Sequence, residues 1–244
     1  RTGAAIETVI RKVGRHPLAV AALAAAWRAD HGFMAGFWSE AAHALDADPY
    51  ETLVLRDDRG EFDERHRRVL KALRFAWSLF DPVTQERFLD LALMPPNQPI
   101  ERAVCDAYWQ RKVGDGRKRL APAFARPLER LADKSLVQKL PNSTSFVLHS
   151  LHRWMIEAEL GEAGVQERHR SFLRFCGLID GTDRISIDLE DRFRALPGGE
   201  TLIVPGEEIS AEHQQPVGRY LVRHLMHHLR QLGRGEVYEE NLQR

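Results

Sequence analysis

Two histidine placements carry the clearest chemistry in this 244-residue sequence. In "FVLHSLHRWMIEAEL" (146–160), His149 follows a short run of β-formers and stands where a helix is expected to begin, with Ser150 beside it. The first turn of a helix carries unpaired N–H groups and the positive end of the helix dipole, so such a junction is a natural anion site. The plainer alternative is that His149 only closes the hairpin ahead of it. In "HLMHH" (224–228), His224 and His228 lie one turn apart, the spacing of two metal ligands on a helix. A zinc-protease helix needs glutamate after the first histidine, and Leu225 stands there. A histidine-rich face, solvated or packed on a neighbour, is the favoured reading, and no metal is expected.

Other chemistry is missing from the sequence. It contains no G-x-x-x-x-G-K-[ST] phosphate loop, no G-x-G-x-x-G and no G-x-S-x-G elbow. The stretch "RKVGDGRKRLAPAFARPLERLADK" (111–134) has eight basic and three acidic residues. If its helix were the recognition helix of a winged helix, Arg119, Arg126 and Arg130 would face DNA. A solvated or partner-facing surface is preferred, because the patch lacks interleaved aromatics.

The elements that must position these residues divide the chain into three. Residues 1–58 are expected to be helical: Ile6, Val9, Ile10 and Val13 line one face, and Pro17 suits the first position of a second helix running to about Arg28. Residues 59–162 show helical spacing in "RRVLKALRFAWSLF", a "DPVT" turn, and helices in "VTQERFLDLALMP", "IERAVCDAYW" and "LAPAFARPLERLADKS". The period then changes: "SLVQKL", "PNSTS" and "FVLH" make a strand, a polar turn and a strand. Three helices and a hairpin are the outline of a winged helix. Residues 163–244 contain a helix in "VQERHRSFLRFCGLI" and a turn-rich stretch. An amphipathic helix follows Pro216, with Val217, Leu221, Leu225, Leu229 and Leu232 on one side, and stops at Gly233.

Composition sets the outer limits. The chain is 43% apolar and 29% charged, ordinary for a domain with an adequate core. Lysine plus arginine equals aspartate plus glutamate at 35 each, so no global charge draws it to nucleic acid or a membrane. Its two cysteines, Cys105 and Cys176, lie far apart in apolar contexts, which points to a reducing compartment. With no membrane span, no signal-peptide layout and no initiator methionine, the expectation is a cytoplasmic fragment of a longer protein.

The order of segments resembles the nucleotide-binding adaptor (NB-ARC) class of signal-transduction ATPases, the STAND proteins, which includes apoptotic-protease activators and plant resistance proteins. Three stretches carry the resemblance over roughly residues 5–160. "GRHPLAV" (14–20) matches the G-x-P-L motif of a small helical domain. "SLFDPVTQERFLDLALMPPNQPIERAVCDAYW" (78–109) and "PLERLADKSLVQKL" (127–140) match a winged helix. "LHSL" (148–151) stands where that class has methionine-histidine-aspartate. The motifs depart in two places: Arg15 occupies the glycine position, and Ser150 replaces the aspartate, a replacement of equal rank as a helix N-cap.

The resemblance implies a mainly α fold: a small helical domain (1–58), a winged-helix domain with a hairpin wing (59–162) and the start of a further helical region (163–244). It implies ADP or ATP as cofactor, held jointly with a phosphate-loop domain of the same parent chain, and neighbouring protomers as partners after nucleotide exchange. By position, His149 would reach the β-phosphate, Pro17 would pack on the base, and Ser150 would stand beside the phosphate. Without a phosphate loop the fragment is not expected to be an enzyme by itself.

Overall fold

The computed structural model of the chain describes residues 2–30, 36–46, 64–114, 126–141, 145–179, 193–196, 199–202 and 211–233. Among these lie nine α-helices: α1 (Thr2–Lys12), α2 (Pro17–Asp30), α3 (Phe37–Asp46), α4 (Glu64–Ser78), α5 (Pro82–Asp90), α6 (Arg102–Gly114), α7 (Pro127–Asp133), α8 (Ser150–Phe175) and α9 (Ala211–Gln231). A 3-10 turn, Leu91–Leu93, extends α5. Strands β1 (Gln138–Lys139) and β2 (Phe146–Val147) pair antiparallel, as do β3 (Phe193–Leu196) and β4 (Gly199–Leu202). The mainly α class expected from the periodicity is what forms. No helix among the described residues is long and apolar enough to cross a membrane.

Two compact units make up the chain: Arg1–Leu91 with Pro127–Glu159, and Ala92–Arg126 with Leu160–Arg244. The sequence division near residue 58 lies outside the described residues. In the first unit, α2 buries Ala19, Ala22, Leu23, Ala25 and Ala26. Side chains this small let its backbone approach α4, which turns Val69, Leu70, Leu73 and Ala76 inward. Each fully buried leucine or valine removed from water contributes about 1.5–3 kcal/mol. Helix α3 lies against α1 and α4, with Phe37 edge-on to Trp38 at 5.1 Å and a Lys12–Asp46 ion pair tying α1 to α3.

Helix ends in this unit follow from local chemistry. The chain leaves α1 by a Schellman turn, in which the Arg15 N–H donates to Ile10 C=O (2.9 Å) and the Gly14 N–H to Arg11 C=O (3.0 Å). Gly14 takes the left-handed conformation that this turn demands, at φ 61°, and Arg15 follows it at φ 58°. Helix α7 ends the same way, through Leu136 N–H to Leu131 C=O and Ser135 N–H to Ala132 C=O, both 2.9 Å, with Ser135 at φ 58°. At the α4–α5 corner, Asp81 caps α5 by accepting from the Thr84 N–H (2.9 Å) and hydroxyl (2.6 Å), and Pro82 fills the first helical position.

The second unit packs α6 on α9. Tyr108 of α6 stands edge-on to Phe172 and Phe175 at 5.6 and 5.5 Å and donates its hydroxyl to Ser171 Oγ at 3.1 Å. Three elements differ from the sequence expectation. The helices expected after Leu151 and over 165–179 are one run, α8, broken by non-helical dihedrals at Gly161 (φ 61°, ψ 174°). The turn-rich stretch contains the β3–β4 pair, with Phe193 opposite Leu202 and Leu196 opposite Gly199. Helix α9 starts at Ala211, ahead of Pro216, so the proline lies inside it. There it removes one ladder hydrogen bond but not the helix, since Ala-Glu-His-Gln-Gln before it carries good helix formers.

Candidate functional site

The α8 N-terminus is built by His149 itself. Its carbonyl accepts the first intrahelical bond, from the Arg153 N–H at 3.1 Å, and its ring Nδ1 accepts the Leu151 N–H at 3.2 Å. Carbonyl in the helix and side chain on a first-turn donor define an N-cap residue. The capping role expected of Ser150 therefore falls one residue earlier. Ser150 is the first helical residue, and the imidazole has already taken the donor that a cap would seek.

The cap fixes the tautomer. With Nδ1 accepting, the proton of the neutral ring sits on Nε2. His149 is exposed, and partial burial of its ring lowers its pKa, as a donor on Nδ1 also should. The junction thus offers one N–H donor at the positive end of α8.

One turn in lies a histidine the sequence reading passed over. His152 is 1% exposed, its ring meets Phe88 edge-on at 5.6 Å, and neither ring nitrogen has a hydrogen-bond partner. Burial, with His149 adding a smaller push, lowers its pKa to about 3. Its sequence signal was the i+3 spacing from the cap, which places it on the core side with Leu151, Met155 and Ile156.

Pro17 occupies the first position of α2 and is exposed. It shares a compact unit with His149, and no hydrogen bond, ion pair or ring contact joins the two. Arg15, at the motif's glycine position, has the positive φ that glycine adopts most easily.

The other singled-out residues separate. His224 is partly exposed over the Tyr220 ring at 4.8 Å, whereas His228 is fully buried and stacked on Phe172 at 4.9 Å. The histidine face is therefore one packed on a neighbour. Among the described residues, no group of three or more histidine, cysteine, aspartate or glutamate side chains is arranged to hold a metal ion. Arg119 lies outside the described residues, Arg126 is exposed, and Arg130 reaches Asp81 at 3.8 Å. Comparison of the chain with known protein families and with curated proteins finds no match.

Proposed function

We propose that this chain is a regulatory segment of a STAND-type signal-transduction ATPase, cytoplasmic, made of a small helical domain (1–58), a winged-helix domain (59–162) and the start of a further helical region (163–244). In this reading a phosphate-loop domain of the same parent chain cradles ADP, and the segment closes over it. His149 donates from Nε2 to a β-phosphate oxygen, Ser150 offers its hydroxyl beside it, and Pro17 lies against the base. Exchange for ATP loosens the closed state and lets neighbouring protomers assemble, a shift between two populations. The observation that supports this best is the His149 cap, which leaves one exposed N–H donor at the positive end of a helix. The left-handed backbone of Arg15 supports the G-x-P-L correspondence.

The alternative, a DNA-binding winged helix, needs a basic face on α7. That helix is seven residues long and its Arg130 is directed at Asp81, so the nucleotide reading is preferred.

Nucleotide content tests the proposal. A parent protein with a phosphate loop should keep ADP through gel filtration, and His149→Asn should lose it. Residues 1–244 alone should bind ADP weakly or not at all. Micromolar ADP binding by the isolated segment, or a parent that carries no nucleotide, would overturn the reading.

A further inference from the structure

The second compact unit contains a chain of buried hydrogen bonds whose proton positions can be assigned. The Tyr220 hydroxyl donates to the Leu93 carbonyl at 3.2 Å. A carbonyl can only accept, so this bond uses the single phenolic proton. The bond between Tyr220 Oη and His228 Nε2, at 3.1 Å, must then run from the imidazole N–H to the phenol oxygen. His228 Nδ1 is left with its lone pair, and the 2.8 Å contact with His169 Nδ1 is donated by His169. Both histidines are 0% exposed, and His228 is stacked on Phe172. The chain of bonds runs from α8 through α9 to the 3-10 turn.

We propose that His169, His228 and Tyr220 form an acid-released latch that holds α9 in its unit. A proton added to the His169–His228 pair buries a charge at a fully buried site, and one placed on His228 Nδ1 sets N–H against N–H at 2.8 Å for as long as His169 keeps its Nδ1 proton. Among the described residues, the charged and titratable groups around His228 give that charge no counter-ion. From α9, its neighbours are His224, His227 and the Tyr220 phenol, and the charges that act on it are those of His169, His227 and His224, all repulsive once protonated. From α8, Glu167 is already engaged by Arg170 at 2.6 Å and Arg174 at 3.3 Å. From α6, Arg102 pairs with Asp106, and Tyr108 and Cys105 are uncharged; Glu101, just ahead of α6, pairs with Arg223 at 3.7 Å and acts on His224. Arg168 on α8 and Arg219 and Arg230 on α9 are cationic, Glu200 belongs to β4 beside α9, and among the described residues the charges that act on His228 are those of the histidines. Burial first, then these histidines, hold the His228 pKa well below its ordinary value, so the latch stays neutral while closed. An opened His228 accepts its proton near pH 6.5, so acid draws the equilibrium toward the open form.

Imidazole nitrogen NMR and residue-resolved amide exchange on the 244-residue chain test this. At pH 7.5, His228 should be the Nε2–H tautomer and His169 the Nδ1–H tautomer. Below pH 6.5, the opening equilibrium of α9, corrected for intrinsic exchange, should rise about tenfold per pH unit for one linked proton. His228→Phe keeps the stack on Phe172 and should remove that dependence, whereas His152→Phe, in the other unit, should leave it in place. A His228 that titrates near 6.5 while α9 stays protected overturns the latch, and that measurement needs no variant. So does a His228→Phe chain that keeps the wild-type dependence, or loss of the dependence in His152→Phe.

Discussion

Gln85 holds the end of α4 by donating from Nε2 to the Phe80 carbonyl at 2.9 Å. The same nitrogen lies 3.0 Å from the Ser78 carbonyl and 3.3 Å from that of Trp77, which also accepts the Phe80 N–H at 3.1 Å, so the carboxamide supplements the backbone bonding where α4 ends. In return the Trp77 Nε1–H approaches the Gln85 carbonyl at 3.4 Å. Gln85→Ala should destabilise the chain by about 1–2 kcal/mol, a typical net value for such bonds. Gln85→Glu should be worse at neutral pH, because it sets carboxylate oxygens against carbonyls at the negative end of a helix. Denaturant melts of the two variants check the order.

His149 has two roles that substitution can separate. His149→Asn keeps a good cap and should leave stability within about 0.5 kcal/mol of wild type, while removing the Nε2 donor. In the ADP-bound parent that loses a bond of roughly 1.5–3 kcal/mol, a ten- to hundredfold shift toward the open, oligomerising state. His149→Ala loses cap and donor together, so it should also melt lower by about 1 kcal/mol. Ser150→Ala should barely change the melting curve, because Ser150 does not cap α8. Melting curves beside size-exclusion profiles separate these outcomes.

Ser135 occupies a position where an L-residue is strained by about 1–2 kcal/mol. Ser135→Gly should stabilise by about 0.5–1 kcal/mol after the extra flexibility of glycine in the unfolded chain is counted. Ser135→Val should destabilise, since a branched side chain resists positive φ. Arg15→Gly should act like Ser135→Gly. Chemical denaturation of the three variants is the measurement.

The buried His152 makes the first unit acid-sensitive. Folded, it stays neutral down to about pH 3; unfolded, it takes a proton near pH 6.5. Between those values the unfolded chain binds more protons, so stability is complete above 6.5 and falls as the pH drops. The loss from this residue should reach about 2 kcal/mol at pH 5. His152→Phe should flatten that slope in urea melts taken from pH 7.5 to 5.

Residues whose signal is periodic were legible. Val9 and Val13, Val69, Leu70, Leu73 and Ala76, and Val217, Leu221 and Leu229 face inward as their spacing requires. Residues whose role depends on partners distant in the chain were not. His228 showed only a helical spacing to His224, because the partner that matters, His169, lies 59 residues away. The β3–β4 pair was masked by composition, since four-residue strands flanking Pro197 and Gly198 carry too little alternation to stand out from a turn. The cap at His149 went to its neighbour because serine ranks as a cap from its type alone, while histidine caps only when its ring happens to lie over the first turn.

The path of the chain through its two units constrains how the molecule can be made. Unit 1 is assembled from Arg1–Leu91 and Pro127–Glu159, with Ala92–Arg126 of unit 2 delivered in between. During synthesis from the N-terminus, the four-helix cluster of α1 to α4 has all its parts early. The β1–β2 hairpin and the buried face of α8 complete the unit only after Glu159 leaves the ribosome. Throughout that interval α6 waits for α9, more than 100 residues downstream, with Val104, Cys105, Tyr108 and Trp109 uncovered. Contacts of such long sequence separation form slowly and leave apolar surface open to wrong partners. A stalled chain ending near residue 160 would therefore present a nearly complete first unit beside an adhesive α6, and would be a preferred client of chaperones.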